Sequence, residues 1–136
     1  MRGRKPTPTC LKLLQGNPGK RAINHNEPMP GGDLAAAPPR WLTKGQKECW
    51  RNALKHSPPG LLKCIDSDML AIWAVAADLH RIAALEVEKD GAIINSKAGV
   101  TYQNPYLSIQ NKQAEIMLKI GAELGFYPLS RRRVRP

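Results

Sequence analysis

Seven of the chain's twelve prolines and five of its eleven glycines fall within the first 40 residues, among basic and small polar side chains. Such a stretch cannot bury enough apolar surface to repay the entropy of ordering its backbone. Whatever core the 136 residues build must come from the rest of the chain, a length suited to one modest domain. Aromatic residues make up only 5% of the chain, so aliphatic and alanine-rich packing must do the burying, which favours helices over a sheet sandwich. The expected fold is mainly α: a small helical domain with two long helices, one shorter helix and a minor β-hairpin, set between basic arms. Residues 1–40 read as a flexible N-terminal arm, 41–126 as the helical core and oligomerisation domain, and 127–136 as a basic tail.

Local signals place the elements. Thr9–Gln15 is expected as a short helix opened by Thr9 and stopped at Gly16, too short to be stable alone. A body helix is predicted from Thr43 to His56, with a Thr43/Gln46 capping box at one end and Pro58-Pro59-Gly60 at the other. The next begins at Asp66 as N-cap, gains dipole support from Asp68, and runs to Lys89 before Gly91. Ala92–Asn95 and Val100–Tyr102 flank Ser96-Lys97-Ala98-Gly99 as a hairpin. The last helix opens with Asn104 and Pro105 and closes at Gly125.

The long middle helix places Met69, Ile72, Trp73, Ala76, Leu79 and Ile82 on one face, while Leu70, Val75 and Leu85 point elsewhere. A helix apolar most of the way round wants neighbours on more than one side. Part of this surface is therefore expected to meet another copy of the chain, with Trp50, Leu70, Trp73, Val75 and Leu85 assigned to that interface. The competing reading is that alanines dilute the outer face harmlessly.

Net charge is +10, and its distribution matters more than its size. The first 21 residues carry Arg2, Arg4, Lys5, Lys12, Lys20 and Arg21 and no acid; the last six carry Arg131, Arg132, Arg133 and Arg135. Residues 22–130 hold eleven Lys and Arg against eleven Asp and Glu, so the whole excess sits in the ends. Two cationic ends on a neutral body point to a polyanion, since each cation set against a phosphate releases condensed counterions. These ten residues are the candidate DNA contacts. Neither arm has an aromatic residue outside the Phe126-Tyr127 junction, so base stacking along a single strand is disfavoured relative to duplex. The alternative is a protein-interaction adaptor whose basic tails dock onto acidic partners, with no physiological nucleic acid.

Catalytic arrangements are missing. Asp66 and Asp68 read as helix-start residues, and His25, His56 and His80 lack zinc-binding spacing. Gly16-Asn17-Pro18-Gly19-Lys20 departs from the phosphate-loop pattern and reads as a basic turn. No serine lies in GxSxG, and Cys10, Cys49 and Cys64 have no evident base beside them. Their odd number and wide spacing suggest a reducing compartment. No cofactor or metal is expected. The longest apolar run, Met69–Ala77, has nine residues, short of the roughly 20 a membrane span needs, and no secretory signal is read at the N-terminus. A helix-turn-helix is not read either, because the break from Ser57 to Ile65 exceeds that motif's turn.

Segment order adds a resemblance. GRKPTPTCLKLLQGNPGKR at 3–21, PPRWLTKGQKECW at 38–50, NPYLSIQNKQAEIMLKIGAELGF at 104–126 and the closing PLSRRRV resemble the P27 family of phage terminase small subunits. The resemblance implies a ring-forming, non-enzymatic homo-oligomer acting in the host cytoplasm. It would recognise the packaging site on double-stranded viral DNA and recruit or regulate a large subunit that carries the ATPase and nuclease. A portal ring and an HNH nuclease are further partners implied by the resemblance; a membrane is not.

Overall fold

The computed structural model describes residues 9–14, 16–26 and 30–127. Its elements in chain order are α1 (Thr9–Leu14), α2 (Lys44–His56), a 3-10 turn (Cys64–Asp66), α3 (Ser67–Asp90), β1 (Ile93–Asn95), β2 (Thr101–Gln103) and α4 (Pro105–Glu123). The expectation of a mainly helical domain with a small hairpin holds.

Caps set most of the boundaries. Thr43 Oγ1 accepts from Gln46 N at 3.4 Å and Gln46 Oε1 accepts from Thr43 N at 3.0 Å, the reciprocal pair expected at the start of α2. Two helices end on the same device. After α1, Gly16 N donates to Leu13 O and Asn17 N to Lys12 O; after α4, Gly125 N donates to Ala122 O and Phe126 N to Gly121 O. This is the Schellman pattern, and it needs the positive φ that Gly16 (+69°) and Gly125 (+77°) supply.

Asp66 behaves differently from its expected role. It stands at the N-cap position of α3, but its carboxylate makes no cap bond there and instead accepts from Lys63 N at 2.8 Å. That bond closes the 3-10 turn, and the turn feeds directly into α3, so the carboxylate is already engaged one element earlier.

α3 is the spine. It packs against α2 on one side and α4 on the other, and the core gathers around it: Leu42, Trp50, Leu62, Leu70, Ala71, Ala74 and Leu124 are buried, with Leu34, Leu54, Trp73 and Phe126 against them. Trp73 and Phe126 meet edge to face at 5.3 Å. Trp50 is 1% exposed and Leu70 0%. The structure therefore corrects the expectation that both lie at a contact between copies. Their surface is consumed within one chain, because α2 and α4 cover the sides of α3 that periodicity alone leaves without neighbours. A side chain such as Trp50 contributes on the order of 3–5 kcal/mol against truncation to alanine.

α3 and α4 run antiparallel, as shown by contacts pairing Gly91 with Asn104, His80 with Gln110 and Trp73 with Phe126. Asn104, 1% exposed, is the clasp between them. Its Oδ1 accepts from Tyr106 N at 3.0 Å, its Nδ2 donates to Gly91 O at 2.9 Å, and its own N donates to Ala92 O at 2.9 Å. The intervening hairpin pairs Ile93 with Gln103, Ile94 with Tyr102 and Asn95 with Thr101. Its second strand starts one residue later than predicted, since Val100 O is used inside the turn to accept from Ser96 N.

Two glycines mark close approaches. A Cβ on Gly45 in α2 would lie 2.9 Å from Cγ of Asp78, a buried carboxylate on α3 that accepts from Arg81 Nη2 at 2.7 Å. A Cβ on Gly121 would lie 2.6 Å from Cζ of Tyr127, whose hydroxyl donates to Met117 O at 2.9 Å. On the arm side, Gly32–Leu34 is stitched to the segment before α3. Cys64 N donates to Gly32 O, Leu34 N donates to Leu62 O, and Lys63 Nζ pairs with Asp33 Oδ1 at 2.6 Å.

Candidate nucleic-acid interface

Of the ten terminal cations expected to contact DNA, Arg2, Arg4, Lys5, Arg131, Arg132, Arg133 and Arg135 lie outside the described residues. Lys12 sits half-buried on α1, and Lys20 and Arg21 are exposed just beyond it. The turn that presents this pair is well bonded: Lys20 N donates to Asn17 O and Asn17 Nδ2 to Arg21 O, both at 2.8 Å. Asn17 and Lys20 both adopt φ of +45°, a left-handed geometry that asparagine tolerates well and lysine less so. The segment read as a basic turn is therefore a defined loop that holds two cations side by side in solvent.

The body's cations are not spread as its zero sum suggests. Lys63, Arg81, Lys89 and Lys112 each have a carboxylate within 4 Å. Arg40, Lys44, Lys47, Arg51 and Lys55 have none among the described residues, although Glu48 lies in their midst. Summing charge over residues 22–130 conceals this group; the three- and four-residue spacing of its α2 members is the signal that reveals it.

No described side chains gather as a reaction centre. No group of three or more His, Cys, Asp or Glu is placed to hold a metal among the described residues. His80 Nδ1 donates to Gln110 O at 3.0 Å, which occupies the ring in joining α3 to α4. Burial, followed by the nearby Asp78 carboxylate, pushes the Cys49 thiol above its ordinary range and so away from the nucleophilic thiolate. The Asp78 hydrogen bond and charge raise the Arg81 guanidinium further still. An open apolar recess of about 390 Å³ lies between the hairpin and Leu107. No helix among the described residues is long and apolar enough to cross a membrane.

The family model for the phage terminase small subunit matches residues 47–136. The chain belongs to the phage terminase small-subunit family. The match opens inside α2 and takes in α3, the hairpin, α4 and the tail, so it covers the helical hub and leaves the N-terminal arm outside. It establishes the broad family and not the narrower P27 grouping. No curated protein and no solved structure matches the chain. As a member of this family the chain has its role in phage DNA packaging.

Proposed function

We propose that the chain is a non-catalytic packaging subunit of the host cytoplasm that grips double-stranded viral DNA at the packaging site and recruits or regulates the large ATPase-nuclease subunit. One observation carries the reading: a hub matching the terminase small subunit bears ten of its 21 cations at its two ends, with no acid between residues 1 and 21. Phosphates are the partner such ends fit, because the free energy comes from counterion release and needs no fixed pocket. Assembly into a ring multiplies each arm by the number of copies, turning modest contacts into avidity. Division of labour results, the hub assembling and the ends holding.

The experiment changes Arg2, Arg4, Lys5, Lys20 and Arg21 together to Ala and measures duplex binding across a salt series. If all five hold phosphates, the slope of log K against log salt shrinks by about 4.5, roughly 0.9 per contact. An unaltered slope removes the N-terminal arm from the reading. Exchange of Arg131, Arg132, Arg133 and Arg135 separates the remaining roles. Retained DNA binding with lost stimulation of the large subunit assigns the tail to protein contact. Retained function throughout favours an adaptor that docks elsewhere.

A further inference from the structure

α2 has two faces of opposite character. Cys49, Trp50, Ala53 and Leu54 turn into the core, with Trp50 only 1% exposed, so the helix cannot rotate about its axis. At 100° per residue, Lys44, Arg51 and Lys55 fall within about 40° of one another on the opposite side, with Lys47 about 60° away. Lys44, Arg51 and Lys55 are exposed and Lys47 is half-exposed. Arg40 and the 67%-exposed Trp41 lie on the approach to the same end of the helix. With Arg40 included, the stretch holds five of the eleven body cations and one of its eleven carboxylates, Glu48. None of the five cations has an ion-pair partner among the described residues, in contrast to Lys63, Arg81, Lys89 and Lys112.

We infer that this ridge is a second nucleic-acid contact, on the rigid hub, which takes the phosphate backbone of duplex DNA. The inference rests on the DNA-binding reading above and adds to it a site that no comparison assigns. Length supports the fit: Lys44 to Lys55 spans ~16 Å of helix, about five base-pair rises of 3.4 Å along the duplex axis. Charge supports it as well. The densest acidic stretch a second copy offers is the end of α3, where Glu86 already lies 3.8 Å from Lys89, leaving Glu88 and Asp90 to meet five cations. A polyanion matches that count and two carboxylates do not. Position adds to the case, because Arg40 and α2 are the next cationic stretch along the chain after the arm's six cations.

The test uses the full chain, a 30-base-pair duplex of arbitrary sequence, and a four-fold variant, Lys44→Gln, Lys47→Gln, Arg51→Gln and Lys55→Gln. A second variant, Lys97→Gln, Lys112→Gln and Lys119→Gln, controls for net charge. The ridge variant is expected to lose at least tenfold in affinity near physiological salt and to flatten the salt slope by about 2–4. The control loses less per charge removed. Equal losses per charge, or an unaltered slope in the ridge variant while the arm variant loses its own, overturn the ridge and leave the arm reading standing. A ridge variant that keeps its slope but changes native mass assigns the face to a second copy, which also overturns the inference. If the unmodified chain shows no salt-dependent duplex binding, both readings fall together. Trp41 gives a readout that needs no charge variant: DNA is expected to shield it from acrylamide, and undiminished quenching counts against the ridge.

Discussion

Asn104 shows how much one buried amide does in this chain. Its oxygen caps α4 while its nitrogen satisfies Gly91 O at the end of α3, so the side chain works as acceptor and donor at once. At an exposed N-cap, Asn and Asp are nearly equivalent. Here they are not, because a carboxylate at this position would face Gly91 O with no proton to give. Asn104→Asp is expected to cost about 1–3 kcal/mol through the orphaned carbonyl, and Asn104→Ala about 2–4 kcal/mol because the cap is lost too. Urea midpoints at one fixed protein concentration check this. An Asp variant as stable as the parent would show that Gly91 O finds another donor.

Among the elements, those with local punctuation are legible in the amino-acid sequence. The Thr43/Gln46 box, Asn104-Pro105 and the helix-stopping glycines act within one turn of themselves, so a short window of residues contains the whole cause. The hidden features depend on how the elements fold back on one another. Nothing near Gly45 or Gly121 along the chain announces that Asp78 or Tyr127 will press against them. Asp66 turns back to Lys63 because a 3-10 turn intervenes that no periodicity signals. Gly121 yields a prediction with a change of sign. In the native chain Ala at 121 collides with the Tyr127 ring, which outweighs the roughly 1 kcal/mol of helix propensity gained over Gly. With Tyr127→Ala already in place the collision is gone, and Gly121→Ala is expected to stabilise by up to about 1 kcal/mol. A double-mutant cycle in thermal or urea unfolding reads this directly, and the same sign in both backgrounds refutes the contact.

At the scale of the whole molecule, periodicity says that α3 needs neighbours all round but not which of them come from the same chain. Trp50 and Leu70 are internal, and Trp73 and Val75 are half-buried. Leu85 remains 53% exposed, with Ile82 one turn before it on α3; Ile72 on α3 and Ile109 and Leu118 on α4 are exposed elsewhere. The contact between copies is accordingly proposed around Ile82 and Leu85 on α3. Ile82→Glu with Leu85→Glu is expected to lower the native mass toward a single chain while leaving helical content intact, and an unchanged native mass places the contact elsewhere. The candidate DNA site is legible only in part for a related reason. A charge total over residues 22–130 is blind to where the cations lie, and the spacing on α2 acquires meaning only once Trp50 fixes which way that helix faces.

Fixing that direction gives the hub an electrical head and tail. α2 meets α3 with Gly45 against Asp78, while Glu86, Glu88 and Asp90 continue ~12–18 Å along α3 past that contact. A polyanion therefore exerts a torque as well as a pull, swinging the lysine-bearing side forward before any surfaces touch. At physiological ionic strength the reach of that torque contracts to about 8 Å, so rising salt robs the encounter of its orientation first and of its grip only afterwards.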